Sequence, residues 1–317
     1  MIKMLCPEPD SFSQKGLDFA STFSDLTALQ LSQNEFNKIA TNYDAILIRF
    51  NTKVDSIILE KESKIRAILS PTTGLDHIDL KSASQNGVKV FHLREEKEFL
   101  KTISGTAELA IGLMLSIMRK IPQSFNSVKD GFWQASNFRG NELTGKTLGI
   151  IGCGRLGSKV SIMAYAIGMN VIAFDPYISK FPKGVQSKKT QFDVFFEADI
   201  ISFHVPLNDE TNHLISINEI NQMKEGVVII NTSRGAIIET SSLINGLKNA
   251  KVSAAAIDVI EDEHLFLSKK HPLVKYASSN NNLIITPHIG GATFESVEKT
   301  DIFILKNYEK ELKKYNE

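Results

Sequence analysis

The stretch GKTLGIIGCGRLG, residues 145–157, predicts the first strand, turn and helix of a dinucleotide-binding fold. Residues 147–151 are an apolar run of strand length, and residues 155–167 continue with a helical pattern. Between them, Gly152, Gly154 and Gly157 form a G-x-G-x-x-G turn. In such a turn the first glycine permits the tight bend, the second lets a pyrophosphate approach the backbone, and the third lets helix and strand pack closely.

Asp175 follows the next predicted strand, residues 171–174, and strengthens this prediction. A carboxylate at that strand end accepts hydrogen bonds from the adenosine ribose and repels a 2′-phosphate. The alternative is a glycine-rich turn without a ligand, followed by an unrelated acidic residue. The ordered series of strand, turn, helix, strand and acid favours the cofactor site, and NAD rather than NADP.

On both sides of this unit, short apolar runs alternate with helix-like segments. Such alternation predicts parallel sheets that helices cover on both faces. The fold class is therefore α/β, with two doubly wound parallel-sheet domains. The predicted strands are 45–48, 67–69, 88–91, 147–151, 171–174, 200–204, 227–231, 252–257 and 283–286. The predicted helices are 79–86, 106–121 with Pro122 marking its end or a kink, 155–167, 217–223, 241–249 and 293–315.

The charge balance excludes some classes of function. The chain of 317 residues has 36 Lys and Arg against 36 Asp and Glu, which leaves no net field to hold a polyanion. We therefore expect no nucleic-acid partner, although the balance does not exclude a local basic site. The apolar stretch 109–118 is shorter than the roughly 20 residues of a membrane helix. We expect a buried helix there and no membrane partner.

The cysteines and the N-terminus indicate the compartment. Cys6 and Cys153 are too few for a disulfide framework or a Cys-rich zinc site, and they lie far apart in the sequence. We expect free thiols in a reducing compartment and no bound metal. The first residues have no charged segment followed by an apolar one, so we expect no signal peptide and a cytoplasmic protein.

Three further strand ends carry groups suited to catalysis. Arg234 follows the strand 227–231, an acidic cluster follows 252–257, and His288 follows 283–286. Each has a plain structural explanation when taken singly, but ligands in such folds bind beyond the carboxyl ends of strands. A guanidinium grips a carboxylate or polarises a carbonyl, an imidazole exchanges a proton near neutral pH, and a carboxylate orients the imidazole. Together these types favour hydride transfer at a hydroxyl- or carbonyl-bearing carbon.

The motifs together resemble those of the D-isomer-specific 2-hydroxyacid dehydrogenases, including phosphoglycerate dehydrogenase and glyoxylate/hydroxypyruvate reductase. The resemblance extends over nearly the whole chain. Its motifs are GLDHID at 74–79, TAE at 106–108, GKTLGIIGCGRLG at 145–157, HVPL at 204–207, NTSRG at 231–235, Asp258 with Glu263, and TPHIGG at 286–291. It implies a Rossmann NAD-binding domain, residues 103–290, inserted into a flavodoxin-like substrate domain, residues 1–102 and 291–317.

The resemblance also implies roles for single residues. Arg234 would bind the substrate, His288 would be the acid and base, and Glu263 would pair with His288. The remaining substrate contacts would come from Arg49, Thr73 and Gly74. The expected cofactor contacts are Gly152, Gly154, Arg155, Leu156, Gly157, Asp175, His204, Val205, Pro206, Thr211, Thr232, Asp258 and Gly290.

The implied activity is hydride transfer between NAD and a small D-2-hydroxy acid or 2-keto acid. A homodimer is implied, formed largely by the helix near residues 104–121 and the segment C-terminal to it, with Trp133 in the dimer core or reaching the partner's site. Two alternatives remain: a formate- or phosphite-type dehydrogenase, and an NAD-binding regulator or corepressor on the same fold.

Some positions depart from the family pattern. His264 stands where proline is usual, and Thr72 replaces a glycine or serine. The segment 92–100 is unusually charged, and we interpret it as a solvated turn or as a contribution to substrate choice. The chain ends at Glu317, soon after the last predicted helix, so we expect no C-terminal regulatory domain.

Overall fold

The structure is a computed structural model that describes residues 1–60, 62–263 and 270–315. His264 therefore lies outside the described residues. The strands are β1 Ile2–Cys6, β2 Ser24–Ala28, β3 Ala45–Leu47, β4 Ala67–Leu69, β5 Lys89–Phe91, β6 Thr147–Ile151, β7 Asn170–Phe174, β8 Val185–Ser187, β9 Ile200–Phe203, β10 Val227–Asn231, β11 Val252–Ile257 and β12 Leu283–Ile285. The helices are α1 Gln14–Ser21, α2 Gln33–Ile39, α3 Leu80–Gln85, α4 Lys97–Leu100, α5 Gly105–Met118, α6 Ile121–Lys129, α7 Arg155–Ala166, α8 Gln191–Glu197, α9 Ile217–Gln222, α10 Thr240–Lys248, α11 Pro272–Ala277 and α12 Phe294–Tyr315.

The chain forms two compact units: unit 1 is residues 1–103 and 292–317, and unit 2 is residues 104–291. Unit 1 has a five-stranded parallel sheet in the order β2-β1-β3-β4-β5, which is the flavodoxin-like order. Successive residues of its strands point to opposite faces, so Leu5 and Ile46 enter one core while Met4 and Leu47 enter the other. The C-terminal helix α12 packs on the second face through Leu305.

Unit 2 has a seven-stranded parallel sheet in the order β12-β11-β10-β9-β6-β7-β8. This is the Rossmann order, and the strand order reverses beside β6. Two cores cover its faces, with Phe203 and Ile229 on one side and Ile150 and Ile230 on the other. The carboxyl ends of β6, β9, β10, β11 and β12 consequently lie along one edge of the sheet, and the loops after them can build a common site. The predicted α/β class with two doubly wound sheets is confirmed.

The helix predicted over 106–121 is interrupted. α5 ends at Met118, Lys120 adopts a left-handed conformation with φ of 54°, and α6 then begins at Ile121. Pro122 lies in the first turn of α6, where its missing N–H removes no hydrogen bond. The helix therefore ends before Pro122, as predicted, but at Met118 rather than Ile121, and the proline opens the next helix.

One segment, residues 97–118, is long and apolar enough to cross a membrane by length and composition alone. It is not one continuous helix, because the chain leaves the helical conformation between α4 and α5. α5 buries Ala107, Ala110 and Met114 in a core of unit 2, as expected for a helix that covers a Rossmann sheet. The burial predicted for this helix agrees with the structure.

Both cysteines are buried free thiols, as the sequence predicts. Burial raises the pKa of Cys6 to about 12, and it also raises the pKa of Cys153. A raised pKa keeps a thiol protonated, and the thiolate is the reactive form. Neither cysteine is therefore suited to nucleophilic chemistry.

Candidate active site

The glycine turn after β6 has the shape that a pyrophosphate requires. Gly152 has φ of 86°, and a Cβ there would lie 2.7 Å from the carbonyl oxygen of His204. A Cβ at Gly157 would lie 2.0 Å from the carbonyl oxygen of Gly152, so no side chain fits between α7 and β6. At Gly154, by contrast, a Cβ would meet no atom within 4 Å. This open space borders the first N–H groups of α7, which have no partner within the helix.

Asp175 follows β7 and is bonded to the same turn. Its Oδ2 accepts a hydrogen bond from the Cys153 N–H at 2.9 Å, and its Oδ1 accepts one from the Tyr177 N–H at 2.9 Å. The carboxylate is half-buried and fixed beside the glycine turn. This is the position in which a carboxylate binds the ribose hydroxyls of a dinucleotide.

The loop after β9 carries the expected cofactor contacts His204, Val205, Pro206 and Thr211. Burial lowers the pKa of His204 to about 4, so the imidazole is neutral at physiological pH, and its Nε2 lies 2.9 Å from Ser202 Oγ. Thr211 Oγ1 donates to the Pro206 carbonyl oxygen at 2.6 Å. Thr211 thus holds the loop in shape, and its contact with a cofactor stays a prediction.

Thr232 lies just beyond β10 and is buried. Its Oγ1 has no hydrogen-bond partner among the residues that the structure describes. Buried hydroxyl groups are normally bonded. An unpaired hydroxyl at the carboxyl edge of the sheet is consistent with a ligand group there, as expected for a cofactor contact.

Arg234 is positioned by the turn that follows β10. Asn231 Oδ1 accepts hydrogen bonds from the N–H of Ser233 at 3.0 Å and from its Oγ at 2.7 Å, and Asn231 Nδ2 donates to the Arg234 carbonyl oxygen at 2.9 Å. The guanidinium donates from Nη1 to the Ser233 carbonyl oxygen at 2.7 Å. At Gly235 a Cβ would lie 1.9 Å from the carbonyl carbon of Ile260, so the turn packs tightly on the loop after β11.

Asp258 is buried at the end of β11 and organises the loop that carries His288. Its Oδ1 accepts hydrogen bonds from Thr286 Oγ1 at 2.5 Å and from the Ile289 N–H at 2.8 Å, and its Oδ2 accepts one from the Gly290 N–H at 2.7 Å. Burial raises the pKa of Asp258, and these hydrogen bonds oppose the rise. Both carboxylate oxygens bind this loop, and direct cofactor contacts of Asp258 and Gly290 stay predictions.

His288 and Glu263 are brought together. Glu263 Oε1 lies 2.7 Å from His288 Nδ1, and both side chains are partly exposed. His288 has φ of 54°, a left-handed conformation that is uncommon outside glycine and is often found at functional sites. A carboxylate bonded to Nδ1 fixes the ring orientation and stabilises the imidazolium.

A second histidine–glutamate pair braces the loop that carries Glu263. Glu261 Oε1 lies 2.5 Å from His213 Nε2, and its Oε2 accepts a hydrogen bond from the Thr240 N–H at 2.8 Å. The backbone N–H of His213 donates to the carbonyl oxygen of Ala236, just after the Arg234 turn, at 2.7 Å. We call the pair Glu261–His213 the loop brace. It ties the Glu263 loop to the segment that follows Arg234, and it was not predicted from the sequence.

In unit 1, the loop around Thr73 and Gly74 exposes donors to an anion. The N–H groups of Thr73 and Gly74 make no hydrogen bond within the described part of the chain. Thr72 Oγ1 donates to the Gly74 carbonyl oxygen at 2.8 Å and lies 2.8 Å from Ser70 Oγ, which holds the loop. Two consecutive N–H groups without a protein partner can donate to an anion. These two N–H groups fit the carboxylate contact expected at Thr73 and Gly74.

Arg49 has a structural partner. Its Nη2 donates to Asp301 Oδ1 at 2.6 Å and to Thr300 Oγ1 at 2.9 Å, and Asp301 is fully buried in α12. Burial raises the pKa of Asp301, and the neighbouring Arg49 charge opposes the rise. Arg49 thereby fastens the segment after β3 to α12. Its expected contact with substrate stays a prediction.

Comparison with known proteins identifies the family. Residues 111–290 match the family described as D-isomer specific 2-hydroxyacid dehydrogenase, NAD binding domain. The chain is 36% identical over 289 residues to the hydroxypyruvate reductase of Thermotoga maritima, covering 91% of each protein. It is 37% identical over 299 residues to the D-3-phosphoglycerate dehydrogenase of Archaeoglobus fulgidus, covering 93% of this chain and 54% of that one.

The chain belongs to the D-isomer specific 2-hydroxyacid dehydrogenase family. It spans about half the length of the phosphoglycerate dehydrogenases that it matches. Among solved structures, it is similar to the D-lactate dehydrogenase of Aquifex aeolicus complexed with NAD and lactic acid, with a TM-score of 0.81, 28% identity, and coverage of 98% of this chain and 95% of that one.

The predicted cofactor, NAD, is confirmed by the NAD-binding domain that this chain shares with the family. Three features of the site itself also fit NAD. The glycine turn is open at Gly154, and Asp175 lies at the ribose position. The buried Thr232 hydroxyl lacks a partner among the described residues.

Proposed function

We propose that the chain is an NAD-dependent oxidoreductase that interconverts a small 2-keto acid and the corresponding D-2-hydroxy acid. The pair His288–Glu263, at 2.7 Å on the edge of the Rossmann sheet, is the observation that carries this proposal. The family match and the hydroxypyruvate reductase and phosphoglycerate dehydrogenase among its relatives support it. In this proposal residues 103–290 bind the cofactor, and residues 1–102 with 291–317 contribute to substrate binding.

Each catalytic side chain has one task in this mechanism. When bound, the nicotinamide supplies or accepts the hydride at the 2-carbon of the substrate. The Arg234 guanidinium binds the keto or carboxylate oxygen and polarises the carbonyl. His288 uses Nε2, the ring nitrogen opposite the one bonded to Glu263, to give a proton to the keto oxygen or to take it from the hydroxyl. Glu263 stabilises the imidazolium in the protonated half of the cycle.

We propose that the protein acts as a homodimer through α6 and the residues after it. Ile121, Phe125, Val128 and Phe132 recur at helical spacing and are 48%, 63%, 50% and 66% exposed, and Trp133 is 89% exposed. Large apolar side chains exposed at this spacing along α6 and just beyond its end indicate a protein contact. Trp133 then lies in the dimer core or reaches the partner's site.

The two free, buried thiols are consistent with a reducing compartment, and we propose the cytoplasm.

Oxidation of NADH in the presence of 2-keto acids tests the proposed activity. The keto acids to be tested with NADH are pyruvate, glyoxylate, hydroxypyruvate and 3-phosphohydroxypyruvate. Oxidation of formate and of phosphite is tested separately with NAD. We expect turnover of at least one keto acid and none with formate or phosphite. We expect His288→Ala to abolish this turnover while NADH still binds, because the glycine turn is untouched. NADH binding without turnover of any compound would instead favour a regulator, and formate or phosphite oxidation would favour the other dehydrogenases.

A further inference from the structure

Three buried polar side chains form a continuous series of hydrogen bonds that ends at the loop of Thr73 and Gly74. Ser70 Oγ lies 3.3 Å from His77 Nε2 and 2.8 Å from Thr72 Oγ1. Thr72 Oγ1 donates in turn to the Gly74 carbonyl oxygen at 2.8 Å. Ser70, Thr72 and His77 are all buried, so their polar atoms depend on one another for partners. We call His77, Ser70 and Thr72 the polar chain.

The direction of each bond in the polar chain follows from the protons available. A carbonyl oxygen can only accept, so the single hydroxyl proton of Thr72 goes to Gly74. The Ser70 hydroxyl must then donate to Thr72, and its oxygen can only accept from His77. His77 therefore carries a proton on Nε2. The polar chain runs in one direction, from the imidazole to the Gly74 carbonyl group.

The base of the polar chain is fixed to the sheet of unit 1. Ser70 follows β4 directly, and its N–H donates to the Phe91 carbonyl oxygen in β5 at 2.8 Å. The Thr72 N–H donates to the Ser70 carbonyl oxygen at 2.7 Å, and the Thr72 carbonyl oxygen accepts from the Leu93 N–H at 3.0 Å. The backbone is thus held firmly as far as Thr72.

Beyond Thr72 the bond to Gly74 has a different effect. Glycine has no side chain to restrict its backbone, so Gly74 could adopt several conformations. The bond from the Thr72 hydroxyl holds the Gly74 carbonyl oxygen toward the buried polar chain. The N–H groups of Thr73 and Gly74 make no hydrogen bond within the described part of the chain, and a fixed loop keeps them ready for a ligand.

We propose that the polar chain holds the N–H groups of Thr73 and Gly74 in the arrangement that binds the substrate carboxylate. The inference rests on the proposed function and adds Ser70, Thr72 and His77 as positioning residues. It also gives a task to the Thr72 hydroxyl at a position where glycine or serine is usual. The polar chain acts on substrate binding, and it takes no part in the proton or hydride transfer.

The test is Thr72→Val, which removes the hydroxyl and keeps the shape of the side chain. The measurements are kcat and KM for whichever of the four keto acids is reduced best, and the dissociation constant of oxamate from the NADH complex. Oxamate carries a carboxylate beside an amide that accepts no hydride. We expect KM and the oxamate constant to rise on the order of tenfold while kcat changes little, because a binding arrangement is lost. Thr72→Ser keeps the hydroxyl and should resemble the wild type.

A matched pair of variants separates positioning from stability. Ser70 and Ser24 are both buried in unit 1, and the Ser24 hydroxyl donates to the Ala20 carbonyl oxygen at 2.7 Å. Ser24 opens β2 and so lies at the opposite edge of the parallel sheet from the loop after β4. Ser70→Ala should raise KM and the oxamate constant severalfold. Ser24→Ala should leave both unchanged even if it lowers Tm.

Unchanged KM and oxamate affinity in Thr72→Val would overturn the inference while leaving the proposed function intact. If Thr72→Val did not fold, the same result in Ser70→Ala would overturn it. An equal rise in Ser24→Ala, or in Thr72→Ser, would also overturn it. If the wild-type protein reduced no keto acid, the proposed function would fail, and the oxamate constants would still test the polar chain. A wild-type protein that neither reduced a keto acid nor bound oxamate would make both wrong.

Discussion

His204 and His288 illustrate how the surroundings of an imidazole set its task. His204 is neutral because burial lowers its pKa to about 4, whereas His288 has a carboxylate on Nδ1. A neutral ring cannot serve as the proton donor for ketone reduction near pH 7. Of these two, we therefore propose His288, whose ring Glu263 orients, for the proton transfer, and the cofactor contact expected of His204 stays a prediction.

The lowered pKa of His204 predicts a change in stability with pH. Between its unfolded value of 6.5 and its folded value of about 4, the unfolded chain binds a proton that the folded chain does not, so stability is lost as the pH falls through this window. We expect His204→Gln to reduce the loss. The measurement is Tm against pH, and an unchanged acid-side fall in the variant would contradict the assignment.

Asp175 is expected to set the choice between the two nicotinamide dinucleotides. Its carboxylate is fixed by the N–H groups of Cys153 and Tyr177, so it cannot turn away from a 2′-phosphate. Asp175→Ala should weaken NADH binding by roughly tenfold and narrow the preference over NADPH, since two charge-assisted hydrogen bonds and a repulsion are lost. Titration with each cofactor measures this, and unchanged affinity for both would make the assignment wrong.

At the scale of elements, the loop brace is expected to act on catalysis through Glu263. Glu261→Ala removes the bonds to His213 and to the Thr240 N–H, and the Glu263 loop is then held less firmly. We expect kcat to fall roughly tenfold or more, as for other losses of catalytic positioning, with a smaller change in KM for NADH because Glu261 makes no bond to the glycine turn or to Asp175.

The control for this prediction is Glu225→Ala, which removes the Glu225 partner of Lys251 in the same unit. The Glu225 side chain is 82% exposed, and ion pairs with such a solvated partner contribute little, so kcat should stay unchanged. If Glu261→Ala lowered Tm without lowering kcat at a temperature where the protein is folded, the brace would serve stability alone.

The elements also show where sequence reasoning succeeds. β6, β10 and β11 were predicted with their observed bounds, because they are mostly apolar and lie inside a parallel sheet with a neighbour on each side. β1, β2 and β8 were not predicted. β2 and β8 lie at sheet edges, where only one neighbour supports them, and the sequences SDLTA and VQS carry no strong apolar signal. β1 pairs with both β2 and β3, but its run IKMLC lies at the N-terminus and is interrupted by Lys3.

The candidate site shows the same limit. Gly152, Asp175 and Glu263 could be named as candidates because each follows a strand in a pattern of known chemistry, and their roles stay predictions. The partner of Arg49 was not found, since Asp301 lies on the last helix and no local pattern joins residues so far apart. The hydrogen bond from Arg94 Nε to the Thr73 carbonyl oxygen, at 3.4 Å, depends in the same way on the pairing of β4 with β5.

At the scale of the whole molecule, the exposed apolar face of α6 predicts the oligomeric state. Phe125→Glu places a charge in the middle of this face, and we expect it to convert a dimer into a monomer because an unpaired charge would be buried on association. Light scattering measures the mass. Phe196→Glu is the control, since Phe196 is 75% exposed on α8 of the same unit. A monomeric wild-type protein, or a dimeric Phe125→Glu variant, would contradict the prediction.

The left-handed backbone at His288 affects the choice of an inactive variant. For most L-residues this conformation costs roughly 1–2 kcal/mol, whereas glycine adopts it without that penalty. Replacement by alanine keeps the backbone strain after the imidazole has gone, and replacement by glycine relieves it. His288→Gly is consequently the better inactive variant for trapping an unreacted complex of the protein with cofactor and substrate. The native protein is therefore less stable than it would be with glycine at this position, and it retains the strained backbone because the imidazole of His288 is needed there.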